Sequence, residues 1–217
     1  MPPWGRALDR GHVSDEVLRQ GRRAWLVAAC LLVLPSLATW PAQALALRAL
    51  SWQPALAFSE PWRWWTAAWV HLSVRHLVAN LVGAVLVAAL GWAARVPPRA
   101  AWAWLLAWPL TQLGLLLQPG LQRYGGLSGV LHAGVAVAAV HLLMLRERPA
   151  RLLGAAILAG MALKIVLEGP WRGPLIHPPE WDIAVAPLAH LLGTAWGCAC
   201  AWLWLRRRPP PPPAQNV

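Results

Sequence analysis

The chain has 217 residues, of which 58% are hydrophobic and only 12% charged, against roughly 25% charged in an average soluble protein. A soluble domain of this length would need more polar surface, so the composition points to one compact helical membrane unit. The net charge of +11 is not a nucleic-acid signature, because the arginines collect at the ends of apolar windows, as the positive-inside rule requires.

Residues 1–23 are polar and carry Arg6, Arg10, Arg19, Arg22 and Arg23. The apolar run comes late and has no small-residue cleavage site after it, so the segment reads as a cytoplasmic extension and not a cleaved signal peptide. A membrane domain is predicted over 24–205, with its first span at 24–40. A loop rich in Pro and Trp follows, and a second span covers 66–93, holding His71, Arg75, His76 and Asn80. A turn with Pro97 and Pro98 leads to the third span, 100–117, and the fourth runs over 126–145. The fifth span is 152–168, a Pro-rich loop covers 169–181, and the sixth span is 183–205. Residues 206–217 read as a basic, Pro-rich, disordered cytoplasmic tail. Each span approaches the roughly 20 residues needed to cross a bilayer. Several of the 17 tryptophans lie near span ends, where indoles anchor at the headgroup level.

Six spans place both ends on one side. Thirteen Lys and Arg residues then fall on that side, against Arg48, Arg63, Arg123 and Arg172 on the other. That bias sets both termini in the cytoplasm. The three cysteines, Cys30, Cys198 and Cys200, form neither a disulfide framework nor a metal-ligand spacing, and neither metal nor cofactor is expected.

Polar groups inside a span are costly and need a reason. Three clusters fall at the outer ends of even-numbered spans: His71, His76 and Asn80; Gly125–Gly129 with Ser128 and His132; and His190 with Gly193 and Gly197. His76 and Asn80 are four residues apart, about 6 Å along a helix and on one face, whereas His71 would face elsewhere on the same helix. Gly193 and Gly197 make a small-residue strip that admits a close neighbour, and His190 points toward that contact. If the neighbour is span four, His190 reaches the Ser128 hydroxyl. The chemistry expected is acyl transfer, with an imidazole accepting the serine proton and returning it to the leaving amine. His76, Asn80 and the Ser128 backbone N–H can supply oxyanion donors, and Gly126 and Gly129 allow a tight backbone. No acidic residue lies near His190 in sequence, and Asp182 lies too far out, so a dyad is expected and not a triad. Taken singly, each cluster also reads as helix packing or a structural hydrogen-bonded pair; their common depth speaks against that.

The motifs resemble the rhomboid family of intramembrane serine proteases. Its Gly-x-Ser-Gly motif stands as Gly126-Leu127-Ser128-Gly129, and its Ala-His-x-x-Gly-x-x-x-Gly motif as Ala189-His190 through Gly193 and Gly197. Its second-span pattern is matched by His71, His76 and Asn80, and its Trp-Arg motif by Trp62-Arg63. The resemblance implies an all-α, six-helix membrane bundle in the bacterial inner membrane, its site open to the periplasm. It also implies a Ser128–His190 dyad assisted by His76 and Asn80. Many rhomboids carry a Tyr four residues after the serine, packed on the catalytic histidine; here that position is His132. The Leu-Ser-Gly-Val-Leu-His stretch is similar to the rhombosortase branch. That similarity implies transmembrane substrates with a C-terminal Gly-Gly motif, a transmembrane helix and a basic tail. The alternatives are a general rhomboid protease, a non-catalytic protein that binds transmembrane helices, and a small transporter.

Smaller expectations complete the reading. Lys164 and Glu168 are expected to pair on one helix face in a structural role. Arg63 is expected to fix the first outer loop through carbonyls. His12, His141 and His177 are assigned nothing.

Overall fold

The computed structural model describes residues 15–206; Arg6, Arg10 and His12 of the N-terminal segment, and all but the first residue of the Pro-rich tail, lie outside the described residues. The described chain forms α1 (Asp15–Thr39), α2 (Gln43–Ala49), α3 (Arg63–Thr66), α4 (Val74–Ala93), α5 (Pro98–Gly114), α6 (Ser128–Met144), α7 (Arg148–Glu168) and α8 (Pro187–Leu205). Five stretches are long and apolar enough to cross a membrane, and α6 is a shorter apolar helix among them. The expected all-α, six-helix membrane architecture is therefore the observed one.

Two boundaries differ from the sequence expectation. The first helix already includes residues 15–23, which the sequence placed ahead of the first span; there Glu16 accepts hydrogen bonds from Arg19 and Gln20. Most of the expected lead-in to the second span is not continuous helix. After α3 and a short 3-10 turn, the chain extends, and α4 starts only after Ser73, whose extended backbone and side-chain oxygen cap it by accepting the His76 N–H at 3.1 Å.

Pro35 interrupts α1 and cannot donate to the Leu31 carbonyl; the Trp69 indole N–H donates to that carbonyl at 3.0 Å instead. Trp62, Trp65, Trp92, Trp102, Trp171, Trp196 and Trp202 are exposed, while other tryptophans serve the interior. Trp25 and Trp104 are fully buried, their rings 4.4 Å apart. Their indole N–H groups donate to the Val87 and Val130 carbonyls, which is how a buried indole avoids an unmet donor.

The central helix is α6, packed mainly on α8 and α7 and also on α5 and α4. Its 17 residues span about 25 Å, less than the roughly 30 Å of bilayer hydrocarbon. At least one end of α6 therefore stops short of a membrane surface. The chain reaches Ser128 through an irregular stretch whose polar backbone is satisfied internally, as membrane depth demands. Trp52 and Tyr124 exchange two backbone hydrogen bonds at 2.8 and 3.0 Å, and the Gly126 N–H donates to the Ala67 carbonyl at 3.0 Å.

Candidate active site

The seam between α6 and α8 brings Ser128 and His190 together. A Cβ on Gly197 would lie 2.5 Å from the Ala133 carbonyl oxygen, and one on Gly193 would overlap that of Gly129. Only glycines let the two backbones approach so closely. His190 lies one turn before Gly193, and the Ser128 hydroxyl donates to its Nε2 at 3.0 Å. The His190 ring is buried, and its backbone carbonyl accepts from Thr194. The spatial pairing of spans four and six, left open by the sequence, is present.

His76 and Asn80 face the same place from α4. An added Cβ on Gly126 would lie 2.6 Å from His76 Nε2 and 3.6 Å from Asn80 Nδ2, so both nitrogens crowd the backbone just before Ser128. The Leu72 N–H donates to His76 Nδ1 at 3.3 Å, so the neutral ring carries its proton on Nε2. Asn80 Nδ2 is buried without a hydrogen-bond partner, a costly state that a developing negative charge would relieve. Gly126 has a φ of 132°, in the region that favours glycine, and its carbonyl accepts from the Tyr124 hydroxyl at 3.3 Å.

His71 departs from its expected position. It precedes the helix, so the helical angle separating it from His76 does not apply, and the two rings lie 4.9 Å apart. Its Nδ1–H donates to the Trp69 carbonyl, making it a buttress behind His76. His132 stacks on His190, centroids 4.3 Å apart and planes 14° apart, and its Nδ1–H donates to the Ser128 carbonyl at 2.7 Å. Trp62 and Arg63 stand away from this cluster. The buried Arg63 guanidinium donates to the Ser51 and Arg48 carbonyls and to Glu60, locking the loop between α2 and α3, while the Trp62 indole donates to the Ala49 carbonyl.

One correction concerns the imidazole's second nitrogen. Sequence proximity suggested no carboxylate for His190, yet its Nδ1–H donates to Glu168 Oε2 at 2.6 Å. Glu168 is the last residue of α7, which ends at Gly169 in the left-handed conformation. Lys164, one turn earlier, donates to the other carboxylate oxygen. The signal available in sequence was a glutamate and lysine at the C-terminal end of an apolar span, where ionisable groups are costly.

His76, Asn80, Ser128, His132, Lys164, Glu168 and His190 border one cavity of about 1010 Å³ between α4 and α7, floored by α6. Below the polar cluster its walls are apolar, including Gly83, Leu86 and Leu90 of α4 and Met161 and Leu163 of α7. The segment 175–186 roofs it, pinned by an antiparallel bridge between Ile176 and Val185. A hydrogen bond from Ser73 to Asp182 at 2.9 Å and the Arg75 guanidinium over the Trp181 ring tie this roof to the start of α4. The arrangement offers a hydroxyl nucleophile with a base, donors for an anion, and an apolar trough leading to them.

A search of curated proteins returns no match to the chain. Among protein-family models, residues 59–207 match the Rhomboid domain, a stretch that holds every residue of the cluster. The chain therefore belongs to the rhomboid family, whose general kind is the multi-pass intramembrane serine protease.

Proposed function

We propose that the protein hydrolyses peptide bonds of membrane-anchored proteins, with Ser128 as nucleophile and His190 as general base. The observation that carries this reading is the 3.0 Å hydrogen bond from the Ser128 hydroxyl to His190 Nε2 at the head of an apolar trough. His190 takes the serine proton as Oγ attacks the scissile carbonyl carbon. The oxyanion is met by His76 Nε2–H, Asn80 Nδ2–H and the Ser128 N–H, which is free at the start of a helix. The imidazolium then gives its proton to the leaving amine, and water enters by the reverse sequence to release the acyl group.

The trough between α4 and α7 suits a transmembrane helix, since its walls are apolar below the polar cluster. With both termini cytoplasmic, as the basic residues indicate, the cluster faces the periplasm of a bacterial inner membrane. The substrate class that fits the His132 motif is the rhombosortase one: a C-terminal Gly-Gly motif, a transmembrane helix and a basic tail. Co-expression with a reporter bearing that signal tests the reading. Wild type should release the shortened reporter, and Ser128→Ala and His190→Ala should not. An intact sorting reporter beside a cleaved general transmembrane substrate would assign a broader rhomboid protease. No cleavage of either, with no serine labelling, would leave a helix-binding protein.

A further inference from the structure

We infer that Glu168 is a third, positioning member of the site, and that Lys164 fixes which face of its carboxylate His190 receives. This rests on the reading of Ser128 and His190 just given. Three links form a chain from one helix end to another: Lys164 to Glu168 Oε1, His190 Nδ1–H to Glu168 Oε2 at 2.6 Å, and Ser128 O–H to His190 Nε2 at 3.0 Å.

A neutral imidazole has one N–H and one acceptor nitrogen. Serine activation requires the acceptor to be Nε2, so the proton must sit on Nδ1. A carboxylate can only accept, so Glu168 enforces that tautomer. When Nε2 takes the serine proton, the resulting imidazolium lies between the serine oxygen and a carboxylate that stays ionised; the proton leaves later on the amine, and Glu168 never carries it. The placement is built into the fold. Glu168 ends α7 because Gly169 reverses the chain in the left-handed conformation, and the His190 side chain it faces is 6% exposed against 19% for its own.

Lys164 makes the inference sharp. It is an ammonium with three donors and no acceptor; it donates to Oε1 and also lies 3.4 Å from His190 Nδ1, a contact much longer than the 2.6 Å one from that nitrogen to Oε2. In Glu168→Gln the single amide oxygen stays with Lys164, because turning the NH₂ group toward the ammonium would set donor against donor. The NH₂ then faces His190 Nδ1, draws out the opposite tautomer, and leaves an N–H on Nε2 where the serine proton should go. Removing the ammonium as well, in Lys164→Met with Glu168→Gln, frees the amide to turn its oxygen to His190. A residue that merely holds α7 in place would show no such rescue.

The test measures kcat and KM for cleavage of a transmembrane reporter in detergent micelles, with retained folding checked by thermal unfolding. Glu168→Gln should lose up to about 10⁴-fold in kcat with little change in KM, the scale seen when a triad carboxylate is made an amide. Glu168→Asp should retain more activity than Glu168→Gln, and the Lys164→Met/Glu168→Gln double variant should regain at least tenfold over Glu168→Gln alone. Wild-type kcat in a folded Glu168→Gln, or no gain in the folded double variant, would overturn the inference. Cleavage persisting in Ser128→Ala would instead overturn the reading it rests on.

Discussion

The carbonyl oxygen of Gly129 on α6 sits so close to Gly193 on α8 that a methyl group on Gly193 would overlap it. Because both bodies are backbone, neither can rotate away. Gly193→Ala should therefore push α8 outward, costing about 1–3 kcal/mol as overpacking does, and lengthen the Ser128–His190 contact one turn above. Thermal unfolding and kcat should fall together; a folded, fully active Gly193→Ala would show that the seam does not set this geometry.

Asn80 offers the opposite dissociation. Its Nδ2 is buried without a partner in the resting protein, so removing it deletes no hydrogen bond of that nitrogen. Asn80→Ala should lower kcat by about 10²–10³-fold, the usual cost of one oxyanion donor, with a smaller effect on KM. Equal kcat in variant and wild type would remove Asn80 from the reaction.

Arg63 should behave as a structural residue. Its guanidinium serves two carbonyls and one carboxylate at once, and a lysine cannot reproduce that fork. Arg63→Lys should lower stability by about 1.5–3 kcal/mol, the range for hydrogen bonds to charged groups, while kcat below the unfolding transition stays within threefold. A large kcat loss without loss of stability would place Arg63 on the substrate.

The His132 ring lies flat on His190. His132→Tyr keeps a ring at that position and should retain activity within about tenfold, whereas His132→Ala should lose more. An aromatic pair is worth about 0.5–1.5 kcal/mol, so the difference between the two variants should be up to roughly tenfold in kcat/KM. Comparing both under one assay checks it, and equal activities would deny the stacking a role.

Much of the site was legible because its parts repeat at helical spacings. Ser128 and His132, His76 and Asn80, and His190 through Gly197 each lie on one helix face, and span direction brings them to one depth. Glu168 was not legible in the same way: it lies on a different helix from both Ser128 and His190, and only the packing of α7 and α8 against α6 joins them. His71 was misplaced because the Ser73 cap starts α4 only after it, a local choice that apolar periodicity does not reveal. The tryptophans near span ends read as lipid anchors, yet Trp25 and Trp104 fill the core, since an indole satisfies a helix carbonyl as readily as it meets a headgroup.

The most direct test of the central claim is covalent labelling with a fluorophosphonate, followed by mapping of the modified residue by mass spectrometry. The account predicts a single phosphonyl adduct on Ser128, absent in Ser128→Ala and reduced at least 10³-fold in rate in His190→Ala, the scale of losing the partner base in such a pair. An unlabelled wild-type protein, a label on another residue, or undiminished labelling in His190→Ala would contradict it.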